Sequence, residues 1–343
     1  MTARAAFFAT VLLTTFYAYA SRQVEPQTTT KAAFDLGSGR FKMVVAEMEN
    51  NQIKKIKCAT GIDVLLANDL AQNKGGKLSP TIQKAALVAL SQLKKEAEKL
   101  GSTAYSGVAT AVFRKATNGE DLLKELSNQT SIPLRILSQD QEGETGFNTA
   151  RAVFPEINEQ NLISWDSGNA SFQIVSKTDH NYDVYQGPLG HSQVLQLLSE
   201  NVRKRPYRQA DQVNPVSEEE RAALIGEVQD KIALPKWLEN KLKNQGSIVA
   251  IGDISSIFGV ASTMLKKNSF SIAEVRTFLE ETTNKTDREM ISQFGPVSDP
   301  KGTVTRLVLL YAVMSKFGIE QVDYRETAGS TLGVLLTKEF WKA

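Results

Sequence analysis

The chain has 343 residues, of which 41% are hydrophobic and 23% charged, enough for two domains with cores of their own. Forty basic and thirty-eight acidic residues leave a formal net charge of +2, so bulk electrostatics provide no reason to expect a nucleic acid or an acidic membrane surface as partner. One cysteine, Cys58, excludes an internal disulfide framework, and with only His180 and His191 a Cys/His zinc site is not expected.

In chain order, the first segment reads as an address. Arg4 precedes an apolar run from Ala5 to Tyr19, and Ala18-Tyr19-Ala20 fits the small-x-small pattern ahead of a signal-peptidase cut, which gives a signal peptide over 1–20. The run is short for a spanning helix and is diluted by threonine and tyrosine. No stable membrane span is therefore expected after cleavage, and the protein is expected to be exported, periplasmic or secreted. Residues 21–30 are a polar linker, and the mature domain begins near Lys31.

"AAFDLGSGRFKMVV", Ala32 to Val45, reads as strand, turn, strand. Glycines 37 and 39 let backbone N–H groups converge on one point, a nest that favours an anion, although an ordinary hairpin turn has the same composition. "PTIQKAALVALSQLKKEAEKL" and "NGEDLLKEL" are amphipathic helices whose leucines face a sheet. The hairpin pattern returns in "NLISWDSGNASFQIVSK", Asn161 to Lys177, and two Asp-x-Gly hairpins imply two lobes. A third glycine turn follows Ile248–Ile251 at Gly252-Asp253, with Ser255 and Ser256 next and a helix beyond. Strand and helix patterns alternate throughout, the mark of an α/β protein. "RKRPYR", Arg203 to Arg208, reads as a solvated face, and His191 as a packed residue.

In this order the motifs resemble the exopolyphosphatase and guanosine pentaphosphate phosphohydrolase family, of the actin-like ATPase superfamily, over nearly all of the chain after Lys31. The family's first loop, Asp-x-Gly-Ser-Asn, is similar to Asp35-Leu36-Gly37-Ser38-Gly39. Its Ala-Thr-Ser-Ala-Leu-Arg segment is similar to "ATAVFRKATN", which aligns the arginine with Arg114. Its acidic segment, Ser-Gly-x-Glu-Glu-Ala, brings the second glutamate onto Glu142, with Glu144 the choice after a register shift. The second loop, Asp-x-Gly-Gly-Gly-Ser-x-Glu, falls on Asp166 to Gln173. Gly168 and Ser171 persist there, two glycines are Asn169 and Ala170, and the closing acid is Gln173. "GPLGHSQVL", "AIGDISSIFGVA" and "AGSTLGVLL" resemble the Pro-Leu-Gly, Gly-x-Gly-Gly-Thr and Gly-Leu-Arg-Glu-Gly segments. In the last, the arginine and glutamate are replaced by Ser330 or Thr331 and by Leu332.

The resemblance implies two actin-like, ribonuclease H-like domains, 31–147 and 148–343, around an interdomain cleft, with the last helix packing back on the first domain. It implies Mg²⁺ or another divalent cation on Asp35 and Asp166, and a phosphate cradle of Gly37, Ser38, Gly168, Asn169, Ser171 and Gly252. Arg114 would grip phosphate, Glu142 would activate water, and Asp166 would act beside them. The implied activity is release of terminal phosphate from polyphosphate or a related phosphoanhydride, without nucleic acid, by a chain that could assemble as a homodimer. The altered loop leaves open a binding-only sensor of polyphosphate or nucleotide. A kinase-like ATPase is a remoter alternative, for which "GDISS" offers little adenosine pocket.

Overall fold

The computed structural model describes residues 28–342 apart from 74, 180, 209–211, 245 and 296–298. The expected signal peptide, its cut site, most of the linker and His180 lie outside the described residues.

Among the described residues, eleven strands form two sheets. The first contains β1 (Thr29–Leu36), β2 (Arg40–Glu49), β3 (Gln52–Asp63), β4 (Ala104–Ala109) and β5 (Leu134–Ile136), in the order β3-β2-β1-β4-β5. The second contains β6 (Leu162–Ser167), β7 (Phe172–Lys177), β8 (Tyr182–Gly187), β9 (Ser247–Gly252), β10 (Ser269–Ser271) and β11 (Gln321–Glu326), in the order β10-β11-β9-β6-β7-β8. Both sheets use one plan. A central strand, β1 or β6, pairs antiparallel with its hairpin partner on one side and parallel with a later strand, β4 or β9, on the other. Antiparallel neighbours need only a short turn, whereas the parallel pairs need crossovers, which the helices supply. The expected α/β architecture of two actin-like lobes is the one observed.

The helix Pro80–Lys99 starts where Ser79 accepts a hydrogen bond from the N–H of Ile82, with proline in its first turn. It buries Ala86, Leu90, Leu93 and Ala97 in a core shared with Phe34, Phe41 and Met43 of the first sheet. In the second lobe, Trp165 is fully buried and meets Phe258 edge to face, with ring centroids 5.0 Å apart. Among the described residues no helix is long and apolar enough to cross a membrane.

The acidic segment opens a helix. Ser138 and Gln141 form a capping box, and the helix Gln139–Val153 begins there. This bridging helix packs as one piece on β6, β7 and β8, so position 147, the expected domain boundary, lies inside it. The C-terminal helix, Thr331–Leu336, makes the opposite exchange. Its Leu332, Val334 and Leu335 join Ala33, Val44 and Val108 of the first sheet. The two helices touch at Gly333, whose N–H donates to Thr149 Oγ1 at 2.8 Å. A Cβ on Gly333 would stand 2.0 Å from the carbonyl oxygen of Thr145, and no other residue allows so close an approach.

Gly333→Ala is therefore expected to lower stability by about 1–3 kcal/mol, the usual cost of overpacking. Gly226→Ala, in the helix Glu218–Gln229 with open space around its Cβ, is expected to raise it by about 0.5–1 kcal/mol. Urea unfolding of the two variants beside the parent checks both signs.

Candidate active site

Three turns meet between the lobes. In the first, Gly37 N–H donates to the Arg40 carbonyl at 3.1 Å, while the carbonyls of Ser38 and Gly39 accept from Ala67 at 2.8 Å and Val64 at 3.0 Å. With its carbonyls tied back to the first lobe, the turn leaves Ser38 on the cleft wall. The second turn repeats this. Gly168 N–H donates to the Ser171 carbonyl at 3.0 Å, and the carbonyls of Gly168 and Asn169 accept from the N–H groups of His191 and Ser192. Those donors open the helix His191–Leu197, so the Pro-Leu-Gly segment braces the second turn from behind. The third turn follows β9. Ser256 caps the helix Ile257–Leu265, and Asp253 accepts from both the N–H and the hydroxyl of Ser255.

The sequence-derived candidates converge. Asp35, Gly37, Ser38, Glu142, Asp166, Gly168, Asn169, Ser171 and Gly252 all line one polar cleft of about 80 Å³. It opens into a larger groove of about 810 Å³ on the side of β3. Arg114 stands behind the cleft wall and reaches it through Glu142, with Nη2 2.9 Å from Oε2, while its Nη1 donates to the Leu137 carbonyl at 2.7 Å. Glu144, the register alternative, does not line the cleft.

Burial dominates the charges. It pushes the Glu142 carboxyl up to about 7, with Arg114 opposing and Asp166 and Asp35 adding to the rise. It likewise raises Asp166 to about 6 and raises Asp35, in both cases against the pull of Lys42. Lys42 resists the same burial because Asp253, Asp35 and Asp166 surround it, and its ammonium stays charged. It lies 3.5 Å from Asp253 Oδ2. Asp253 is partly buried, yet Lys42 and the Ser255 hydrogen bonds bring its proton affinity down.

Among the cleft residues to which the motif reading gave no role are Lys42, Asp253, Arg306 and Ser330. Ser330 links the two aspartates, its N–H donating to Asp35 Oδ2 at 3.1 Å and its hydroxyl lying 3.5 Å from Asp166 Oδ2. The preceding Gly329 has φ +59°, and a Cβ there would sit 2.2 Å from Asp35 Oδ2. Arg306 pairs with Asp299 at 2.8 Å, and its charge together with burial keeps the nearby His191 neutral. Only Lys42 carried a local signal, a cation on the strand face that otherwise presents Val44 and Ala46 to the core. Gln173 is buried opposite Asp166 across the hairpin and donates to Ser171 Oγ at 3.3 Å. The basic run lies elsewhere, with Arg203 held by Glu220 at 2.8 Å.

Among the described residues no three of His, Cys, Asp and Glu converge on one point. The pair Asp35 and Asp166 nevertheless fits a hard cation, because both carboxyls are poorly compensated and Asp35 Oδ1 is buried without a hydrogen-bond partner.

Glu142 and Asp166 bind protons more tightly folded than unfolded. The stability they contribute is thus full below the ordinary carboxyl range and is lost as pH rises through about 6 to 7. The thermal midpoint of the metal- and phosphate-free protein is expected to fall over that interval. Glu142→Gln, which cannot ionise, is expected to flatten the fall and raise the midpoint at alkaline pH; calorimetry across pH measures both.

Known proteins resemble this chain in sequence and in fold. A curated Haemophilus influenzae protein, provisionally named an exopolyphosphatase, is 24% identical over 313 residues, covering 87% of this chain and 88% of the relative. The crystal structure of the Aquifex aeolicus Ppx/GppA family member superposes with a TM-score of 0.68 at 17% identity, over 91% of this chain and 98% of that one. That of an exopolyphosphatase from Cytophaga hutchinsonii superposes with 0.69 at 14% identity, over 90% and 97%. Both structures share the fold. The family model itself matches residues 44–339, and the chain belongs to the Ppx/GppA phosphatase family.

Proposed function

We propose that the protein is an exopolyphosphatase-type phosphohydrolase that releases the terminal phosphate of polyphosphate or a related phosphoanhydride. Family membership supports phosphoanhydride hydrolysis in general. The observation that carries the finer reading is Glu142, a carboxyl with a pKa of about 7 on the wall of a cleft whose other walls are two facing hairpin turns. A base poised near neutrality suits proton abstraction from water at ordinary pH. Water oxygen bonds to the terminal phosphorus, the bridging P–O bond breaks, the water proton passes to Glu142, and the departing oxygen carries the displaced charge.

Arg114 is engaged by Glu142 and by the Leu137 carbonyl. Its first role is to orient the base and hold down its proton affinity; gripping a phosphoryl oxygen, as the resemblance implies, would require it to come forward from behind the cleft wall. The turns contribute Gly37, Ser38, Gly168, Asn169, Ser171 and Gly252 as the phosphate cradle. Asp35 and Asp166 would hold Mg²⁺ or another divalent cation, which supplies charge neutralisation to the phosphoryl oxygens when bound. Lys42 adds a fixed positive charge beside them. Export of the mature chain is part of the same proposal, supported by the apolar run and cut-site pattern at the start of the sequence.

A binding-only role has one observation in its favour. Gln173, at the position of the family's closing acid, is neutral and committed to Ser171.

Phosphate release from long-chain polyphosphate with Mg²⁺ separates the readings. The rate is expected to rise with pH to a plateau above about 7, and Glu142→Gln is expected to reduce it about 10²–10⁴-fold while binding persists. Arg114→Ala removes the charge that lowers the Glu142 pKa, so the rising limb is expected to move to higher pH. A folded chain that binds polyphosphate and releases none would favour the sensor.

A further inference from the structure

The strands β6, β7 and β8 set three polar side chains in one cross-strand row, with Asp166 opposite Gln173 and Gln173 opposite Gln186. Directly opposed residues share a face, so all three belong to the same side of the second sheet. The opening turns of the bridging helix cover that side. Gln186 donates to Asp140 Oδ1 at 2.7 Å. A Cβ on Gly143 would stand 3.6 Å from the Cβ of Gln173, and one on Gly146 would stand 3.7 Å from that of Asp166. Gln173 therefore lies beneath the turn that carries Glu142, and both residues line the cleft.

Gln173 is 2% exposed, and its amide is held at one end, where Nε2 donates to Ser171 Oγ at 3.3 Å. Its Oε1 accepts no hydrogen bond from the described residues and is not sealed off from the cleft. A carbonyl oxygen tethered in this way is an acceptor for whatever enters beside Glu142. We infer that Gln173 is a second catalytic residue, the acceptor that orients the attacking water. One O–H of that water donates to Glu142, which takes the proton. The other donates to Gln173 Oε1, and its proton stays on the phosphate that forms. With both O–H groups directed, the oxygen lone pair faces the terminal phosphorus, and the new P–O bond forms as the bridging P–O bond breaks. Gln173 itself gains and loses no proton. Its neutrality, which favours a binding-only role when taken alone, here provides an acceptor without adding another negative charge opposite an anionic substrate.

This inference rests on the hydrolase reading of the cleft, and measuring turnover and binding separately keeps the two apart. Turnover is phosphate release from tripolyphosphate with Mg²⁺. Binding is calorimetric titration of tripolyphosphate into Glu142→Gln chains with and without the change at position 173. Gln173→Leu, close in volume but without an acceptor, is expected to lower kcat about 10–10²-fold while changing the Kd by less than about twofold. Gln173→Glu keeps an acceptor oxygen at the cost of a charge, and its kcat is expected to fall between those of the parent and Gln173→Leu. Should Gln173→Leu fail to fold, Gln173→Asn, which draws the carbonyl back by one methylene, takes its place with the same expectation. An unchanged kcat in Gln173→Leu, or a Kd weakened as much as kcat falls, overturns this inference and leaves the hydrolase reading standing. A Gln173→Glu chain more than about tenfold faster than the parent also overturns it, because the amide would then be an impairment. A parent chain that releases no phosphate overturns the hydrolase reading and, with it, the role assigned to Gln173.

Discussion

An ammonium among three aspartates of the cleft, one buried and two partly so, is the constraint on which the rest of the cleft depends. Lys42 lies directly opposite Asp35 in the first hairpin, is drawn to Asp166 of the second, and pairs with Asp253 of the third turn. Two unit charges 4 Å apart interact by about 4 kcal/mol at the effective dielectric typical of proteins, so carboxylates gathered in one cleft with no cation nearby would repel one another or take up protons. Lys42 supplies that cation from within the chain. It touches by field what the hairpins bring together by geometry, and the raised carboxyls of Asp35 and Asp166 record how incomplete the compensation is.

The same cleft depends on two helices that cross between the lobes. The bridging helix starts after the first sheet, carries Glu142 in its opening turn, and packs its remaining length on the second sheet. The C-terminal helix leaves the second sheet, brings Ser330 between the aspartates, and ends against the first. Their contact at Gly333 and Thr149 links the base and the aspartates mechanically. Glu142 therefore stands where burial and the field of Asp166 and Asp35 both raise its proton affinity.

Much of this was legible locally. Alternation on either side of a glycine turn disclosed both hairpins, and the motifs around Arg114 and Glu142 selected residues that do meet. The helical nature of the acidic segment was missed although Ser138 and Gln141, three residues apart, carried a capping signal. Asp253, Arg306 and Ser330 had no comparable signal. An aspartate beside glycine suits any turn, an arginine in the first turns of a helix suits any surface, and a serine in a worn motif looks like a loss. Each became a cleft residue only through partners far away in sequence, as when Ser330 meets Asp35.

The amino-acid sequence by itself determined the turns, the strands that flank them and the side chains they offer, because periodicity and glycine geometry depend on neighbours a few residues apart. Tertiary structure alone decided which carboxyls share one field and where the protons reside. The physical reason is range. Desolvation and Coulombic attraction depend on distance in space, and the folded lobes bring within a few ångströms groups that the chain keeps hundreds of residues apart.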